Sequence, residues 1–350
     1  MPSKPTQSGE PSAPDTGART DARLGRLVHL LSDHPMLVMS GTKLADELGL
    51  GSNRHEVWRL IEQLRELGVQ ISGHPATGYR LDTVPDLLLP EILRPLLETT
   101  IFAGDIHHFF RVASTNTAAM RAAAEGAPEG ALFLAEEQTA GRGRGTHTWH
   151  SAASEGIYCS AVLRPRLAPA DVLLISLAAG LAVREAVREI TGLEATLRWP
   201  NDVLLDERKF CGILIEMHAE ATRVHHLVAG IGLNVNHREF PAELSEIATS
   251  LWRETGRNWS RVELTAALLK SLHREYRALL ADPVAGREDI LRRFEQCSSY
   301  ARGRAVHVDE DGGYEGVTAG LDPRGFLRVD TASGTRTVLS GAVRAIKGGS

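Results

Sequence analysis

Apolar residues recur at two different periods along this chain, and the changes of period divide it into segments. Leu24, Leu27, Val28 and Leu31 fall on one face of a helix from Arg23 to Ser32. Ser40-Gly41 opens a second helix, Thr42 to Leu48, which Gly49 ends. After a turn at Leu50-Gly51, Ser52 or Asn53 can cap a third helix through Leu67, with Val57, Leu60, Ile61, Leu64 and Leu67 as its stripe. Gly68 suits the position just past its end. The period then drops to two: Val69 to Ser72, a Gly-Pro-Gly-containing turn over 73–78, and Tyr79 to Leu81 predict a hairpin. Three helices and a hairpin over residues 21–84 predict a winged helix-turn-helix.

Beyond it the pattern mixes both periods. Ala131 to Ala135 and Ile157 to Leu163 read as strands, Val172 to Ile190 as a long apolar helix. Thr196 to Trp199, Val203 to Leu205, Gly212 to Met217 and Val224 to Asn234 read as strands, Val262 to Leu280 and Glu288 to Gln296 as helices. This is a mixed α/β domain over 102–299. From residue 300 short strands alternate with the turns Asp311-Gly312-Gly313, Asp322-Pro323-Arg324-Gly325 and Ser333-Gly334. Their spacing predicts a small, SH3-like β-barrel over 300–350. Residues 1–20, rich in Pro, Ser, Thr and Gly, read as a disordered tail. The stretch 85–101, punctuated by Pro85, Pro90 and Pro95, reads as a linker with a short helix over Leu87 to Leu97. The whole is an α+β multi-domain chain.

Composition narrows the function. A net charge of −5 over 350 residues argues against wholesale coating of nucleic acid, so any DNA contact is local. Residues 21–84 hold seven Lys/Arg against eight Asp/Glu, which puts the weight of DNA recognition on Asn53, Arg54, His55 and Arg59 at the start of the third helix. The opposing reading of this unit is a protein-interaction module. Three dispersed cysteines, Cys159, Cys211 and Cys297, predict neither a zinc site nor disulfides and suit a reducing cytoplasm. Cys211 is a buried strand residue on this reading, with a reactive thiol near Lys209 the less favoured alternative. The fourteen histidines show no HExxH spacing, and His107-His108 and His225-His226 read as surface or strand positions rather than ligands. No apolar run reaches membrane-spanning length.

Residues 141–149 read Gly-Arg-Gly-Arg-Gly-Thr-His-Thr-Trp. Glycine lets backbone N–H groups approach an anion, and arginine adds planar, permanently charged donors. Arg198-Trp199-Pro200-Asn201-Asp202 and Lys209-Phe210-Cys211-Gly212-Ile213-Leu214 follow, adding a carboxylate and a lysine on strand-like sequence. Together they point to an activated acyl–phosphate species.

These runs, with Ser114-Thr115-Asn116, Gln138-Thr139-Ala140-Gly141-Arg142-Gly143-Arg144 and Gly230-Ile231-Gly232-Leu233-Asn234-Val235-Asn236, resemble the motifs of bifunctional biotin–protein ligases that are also biotin operon repressors. The resemblance spans nearly the whole chain after the tail. It implies a biotin–lipoate ligase-like central domain that activates biotin with ATP to biotinyl-5′-AMP. The biotin then passes to a lysine of the biotin carboxyl carrier protein of acetyl-CoA carboxylase. By resemblance, Ser114, Thr115, Asn116, Gln138 and Gly212 would hold biotin. Arg142, Gly143 and Arg144 would lie over its carboxylate and the phosphate, and Lys209 would hold first one and then the other. Arg144, Trp149, Asn201 and Asn234 would serve ATP. Asp202 would orient the incoming lysine or help place Mg²⁺, which ATP itself carries; no metal site of the protein alone is implied. The resemblance further implies biotin as corepressor through its adenylate, a homodimer formed on adenylate binding, and operator DNA as partner.

Three positions depart from the family. Gly145-Thr146-His147 replaces the usual x-Gly-Arg, so a loop cation becomes a histidine that is mostly neutral at pH 7. Arg198 stands where lysine is common, and the turn before the third helix is slightly long. Two other readings compete: a lipoate–protein ligase, and a catalytically silent regulator that senses a small ligand.

Overall fold

The structure is a computed structural model that describes residues 16–34, 37–83 and 86–346, and it divides into two compact units, residues 1–85 and 86–350. The first unit comprises α1 (Thr16–Ser32), α2 (Gly41–Glu47), α3 (Arg54–Glu66), β1 (Ile71–His74) and β2 (Gly78–Leu81). Its core is the stripe expected from the sequence: Leu24, Leu27, Val28 and Leu31 of α1 meet Leu44 of α2 and Val57, Leu60, Ile61 and Leu64 of α3, all buried. Leu67, counted in that stripe, sits instead at the C-cap of α3 and is exposed. Asn53 is the N-cap, its side-chain oxygen accepting from Glu56 N at 3.1 Å. The hairpin register Gly73↔Tyr79 demands glycine: at φ +110°, a Cβ on Gly73 would lie 2.0 Å from the Gly78 carbonyl oxygen. Of the expected tail, residues 1–15 lie outside the described residues, but residues 16–20 are the first turn of α1. Ala18 and Arg19 are strong helix formers, so the helix runs back beyond its apolar stripe.

The second unit opens with α4 (Pro90–Leu96), β3 (Ile106–Val112), α5 (Thr115–Ala124), β4 (Leu132–Gln138), β5 (Gly156–Leu163) and α6 (Leu173–Thr191). It continues with β6 (Thr196–Arg198), β7 (Asp202–Leu205), β8 (Arg208–Ala219), β9 (Val224–Asn234), α7 (Leu251–Thr255), α8 (Arg261–Ala281) and α9 (Pro283–Cys297). Strands β3 to β9 form one mixed sheet in the order β3-β4-β5-β9-β8-β7-β6, in which the β3–β4 pair is parallel and the other pairs antiparallel. Side-chain alternation sends Leu132, Leu134, Ala161, Leu163, Leu227 and Ala229 into the main core with α6, α8 and α9. Phe133, Val162 and Val228 point the other way, against Ala119 and Ala123 of α5.

The expected linker is not a linker. From Asp86 onward it belongs to the second unit, where Leu88, Leu93 and Leu97 join the main core. Prolines at 90 and 95 suggested an extended joint, yet Pro90 sits in the first turn of α4, where its missing N–H costs nothing. Asp86 then accepts from the backbone N–H groups of Arg261 and Val262, capping α8.

The last segment holds β10 (Arg302–Asp309), β11 (Tyr314–Leu321), β12 (Leu327–Thr331), β13 (Gly334–Val338) and β14 (Ala342–Ala345). They form an antiparallel sheet in the order β13-β12-β11-β10-β14. Among the described residues β13 and β14 are its edges, so the sheet does not close into the barrel expected from the turn spacing. Trp199 joins it to the central sheet by donating its indole N–H to the Gly325 carbonyl at 2.9 Å.

Candidate functional site

The α5 face of the central sheet carries glycine at three adjoining positions. Gly230 and Gly232 lie two apart on β9, and Gly212 of β8 pairs with Gly232. The floor is therefore bare backbone, and side chains from elsewhere lie directly on it. A Cβ at Gly230 would come within 1.9 Å of Asn116 Oδ1, and one at Gly232 within 2.4 Å of Trp149 Nε1. Above this floor is a cleft of about 1390 Å³. Its walls are the start of α5, the loop 142–149, the segment 198–202 and the C-terminal strand β14.

One wall is a buried hydroxyl and amide network. Ser114, Thr115 and Asn116 begin α5 and are each under 5% exposed. Gln138 Oε1 accepts from Thr115 N at 2.9 Å and its amide donates to Ser151 Oγ at 2.9 Å. Ser160 Oγ lies 2.8 Å from Thr115 Oγ1 and 2.6 Å from Asn116 Oδ1. Asn116 Nδ2 donates to Glu216 at 3.0 Å. Such a wall offers fixed donors and acceptors to a small polar ring.

Opposite it stand the cations. Lys209 reaches the cleft because the β7–β8 register shifts there: Val203 pairs with Cys211 but Leu204 with Lys209. The extra residue, Phe210, turns into the core and puts Lys209 on the same side as Gly212. Its backbone is pinned by Ile247 and Thr249, its ammonium lies 2.6 Å from Asp202 and 5.2 Å from the Trp149 ring centre. Asp202 also holds Arg198 at 2.6 Å. Burial would raise the Asp202 carboxyl, but Lys209 and Arg198 outweigh it and hold it below the usual carboxylate range. Arg142 pairs with Glu216 at 2.9 Å. Arg144 instead meets neutral acceptors, the Ser340 carbonyl at 2.8 Å and Asn201 Oδ1 at 3.5 Å. The loop that carries these arginines closes on itself through Gly143 N to His147 O and an Arg142↔Thr148 bridge. His147 is exposed.

The cleft thus gathers Ser114, Thr115, Asn116, Gln138, Arg142, Gly143, Arg144, Trp149, Asn201, Asp202, Lys209 and Gly212. Asn234 is not among its lining. It is buried at the end of β9 and donates to the Thr249 carbonyl at 3.0 Å. Sequence reasoning also missed Glu216 and Ser160. Glu216 lies on the cleft side of β8 four residues beyond Gly212, a period-two signal that a longer reading of that strand offers. Ser160 sits in an apolar run and gives no signal. Cys211 is fully buried, which pushes its thiol far above its ordinary range and leaves it a packing residue. Among the described residues no cluster of three His, Cys, Asp or Glu is placed to hold a metal ion, and no helix is long and apolar enough to cross a membrane.

In the first unit Asn53, Arg54, His55 and Arg59 are all exposed on α3. Asn53 is committed as the cap and Arg59 donates to Glu56 at 2.7 Å. Trp58, 38% exposed and 5.5 Å from the His55 ring, adds an aromatic to the same surface.

Residues 109–234 match the biotin/lipoate A/B protein ligase family, and residues 302–343 the biotin protein ligase C terminal domain. The bifunctional ligase/repressor BirA of Bacillus subtilis is 34% identical over 319 residues, covering 90% of this chain and 96% of that protein. The biotin–[acetyl-CoA-carboxylase] ligase of Mycobacterium tuberculosis is 34% identical over 66% of this chain and 85% of its own. The biotin protein ligase of Aquifex aeolicus, solved in complex with biotin and ATP, superposes with a TM-score of 0.61 at 30% identity, covering 69% of this chain and all of that one.

Proposed function

The chain belongs to the family of bifunctional biotin protein ligases and repressors, and from that premise we propose how its residues divide the work. It is an ATP-dependent biotin–protein ligase: biotin and ATP give biotinyl-5′-AMP, and the biotin passes to a lysine of a biotin carboxyl carrier protein. The observation that carries the reading is the convergence of Arg142, Arg144 and Lys209 on one cleft over a glycine floor. Adenylation joins two anions, so cations must offset their repulsion before attack. Ser114, Thr115, Asn116 and Gln138 hold the biotin ring, and Gly212 leaves room for its tail. Arg142, Gly143 and Arg144 cover the carboxylate and α-phosphate, with Lys209 between them. Trp149 and Asn201 serve the nucleotide. Both Asp202 oxygens are already bonded to Arg198 and Lys209, which favours Mg²⁺ arriving on the triphosphate. The deciding experiment incubates the pure protein with ATP, Mg²⁺, biotin and a carrier domain. One biotin on the carrier lysine is expected, and equal competition by lipoate would turn the reading to a lipoate ligase.

Asp202→Asn is expected to slow transfer to the carrier at least tenfold while biotin affinity changes little. Its charge faces the site of attack, whereas the ring contacts lie on the opposite wall. A biotin Kd that rises as much as transfer falls would overturn this assignment.

The domain reading follows the same division. Residues 21–84 form a winged helix-turn-helix, 102–299 with the preceding stretch from 86 the ligase domain, and 300–350 an SH3-like module. As a repressor the chain would bind operator DNA as an adenylate-induced dimer, its two third helices entering matched major-groove sites. Arg54 is exposed at the start of α3, so Arg54→Ala should weaken specific DNA binding by about 1–3 kcal/mol and leave ligation unchanged. Gel shifts on a sequence selected from random oligonucleotides test this. An adenylate-loaded protein that selects no sequence would make the first unit an interaction module.

A further inference from the structure

The arginine loop is fastened to the C-terminal sheet through one carboxylate that no motif contains. Arg144 Nη2 donates to the carbonyl of Ser340 at 2.8 Å, in the turn between β13 and β14. That turn is not held by strand pairing. It is held by Glu310, just past β10, whose carboxylate accepts from Ser340 N at 2.8 Å, Leu339 N at 3.1 Å and Ser340 Oγ at 3.2 Å. A carboxylate taking several donors from one turn fixes that turn's backbone, since each charge-assisted bond restrains it. Burial opposes ionisation of Glu310, but these N–H and O–H donors prevail and keep its carboxyl below the usual range.

The arrangement differs in kind from the fastenings of Arg142 and Lys209. Arg142 is matched by Glu216 and Lys209 by Asp202, each a carboxylate within 3 Å. Among the described residues Arg144 has no carboxylate partner at ion-pair distance, only peptide and amide oxygens. A neutral acceptor orients a guanidinium without cancelling its charge, and the Asp202 carboxylate acts on Arg144 only from beyond ion-pair distance, so much of its attraction remains for an incoming anion. The anionic group that organises the contact is set one step back, on the far side of the peptide that Arg144 touches.

We propose that Glu310 is a positioning residue: by fixing the 339–341 turn, it makes the neutral Ser340 carbonyl a latch that holds Arg144 of the loop over the cleft. The proposal rests on the ligase reading for what Arg144 acts upon, but the latch itself is a property of the free protein. The β13–β14 turn is thereby a working part of the cleft rather than a connection between strands.

The test uses the full chain without ligand. Limited trypsin digestion reads loop opening as the rate of cleavage after Arg142 and Arg144. Glu310→Ala should raise that rate roughly tenfold, the equivalent of one lost charge-assisted hydrogen bond. Glu310→Gln, which keeps one acceptor and the side-chain volume, should give a smaller rise. In biotin-dependent ATP–pyrophosphate exchange, Glu310→Ala should lower turnover while the half-saturating biotin concentration stays within twofold. The Glu310→Ala, Arg144→Ala double variant should be no slower than Arg144→Ala alone, because a latch has nothing to hold once the arginine is gone. Unchanged cleavage in both Glu310 variants, or additive losses in the double variant, would overturn the proposal. A wild-type protein without exchange activity would instead defeat the ligase reading, and the digestion would still decide the latch.

Discussion

Lys209→Ala is expected to lower biotin-dependent ATP–pyrophosphate exchange on the order of 10²–10³-fold. The lysine reaches the cleft only because the β7–β8 register shifts at Phe210, and its backbone is clamped by the Ile247 carbonyl. Its ammonium, pre-placed by Asp202, is a compact charge beside the cleft's planar guanidiniums. A charge fixed before substrates arrive needs no reorganisation as negative charge develops between carboxylate and phosphate. Arginine at 209 should not restore activity, since a forked guanidinium cannot occupy the same point beside Trp149. Exchange at wild-type rate in Lys209→Ala would remove the residue from the reaction.

Arg261→Leu is expected to destabilise the second unit by about 3–5 kcal/mol, read by urea unfolding. Arg261 is 1% exposed and binds Glu136 at 2.7 Å and the Gly156 carbonyl at 3.1 Å. Glu136 is itself buried, with His108 at 3.0 Å, the Leu88 N–H at 3.0 Å and the Ser154 hydroxyl at 3.4 Å as its other partners. Losing the arginine strands a carboxylate in the core. The same group sets a pH dependence. Burial alone would raise the Glu136 carboxyl, but Arg261, His108 and the Leu88 N–H bring it down to about 2. The unfolded chain binds that proton near the ordinary carboxylate value of about 4.3. The stabilisation is therefore complete above that value and is lost as pH falls from there towards 2. The stability difference between wild type and Glu136→Gln should shrink across that window, and a difference that stays constant there would exclude Glu136 as its source.

Local pattern reached some parts of this molecule and not others. Helices α6 and α8 were legible because long apolar runs at one period need no knowledge of their partners. Strand β3 was not: His107 and His108 break its alternation, and it forms a strand only because β4 pairs with it. The linker reading failed for a similar reason. Prolines are local signals, whereas the burial of Leu88, Leu93 and Leu97 depends on helices far along the chain. At the site, the glycines and cations were visible as motifs since their chemistry is explicit in residue type. The register shift that aims Lys209, and the bond that Asn234 makes to Thr249, are relations between segments that no single one encodes.

Asp86 gives the chain a seam that differs from the one its prolines mark. Its carboxylate receives the first N–H groups of α8, its carbonyl receives the Arg261 guanidinium, and two residues later Leu88 N donates to Glu136. The strand-like stub from 86 to 89 is thus a keystone inserted beneath the ligase fold before the fold's own first strand begins. A division of the chain at 85/86 leaves the keystone with the second unit. A cut at 102 takes the keystone away with the first. The boundary between the two compact units of this chain thus lies ahead of Asp86, not ahead of the first strand.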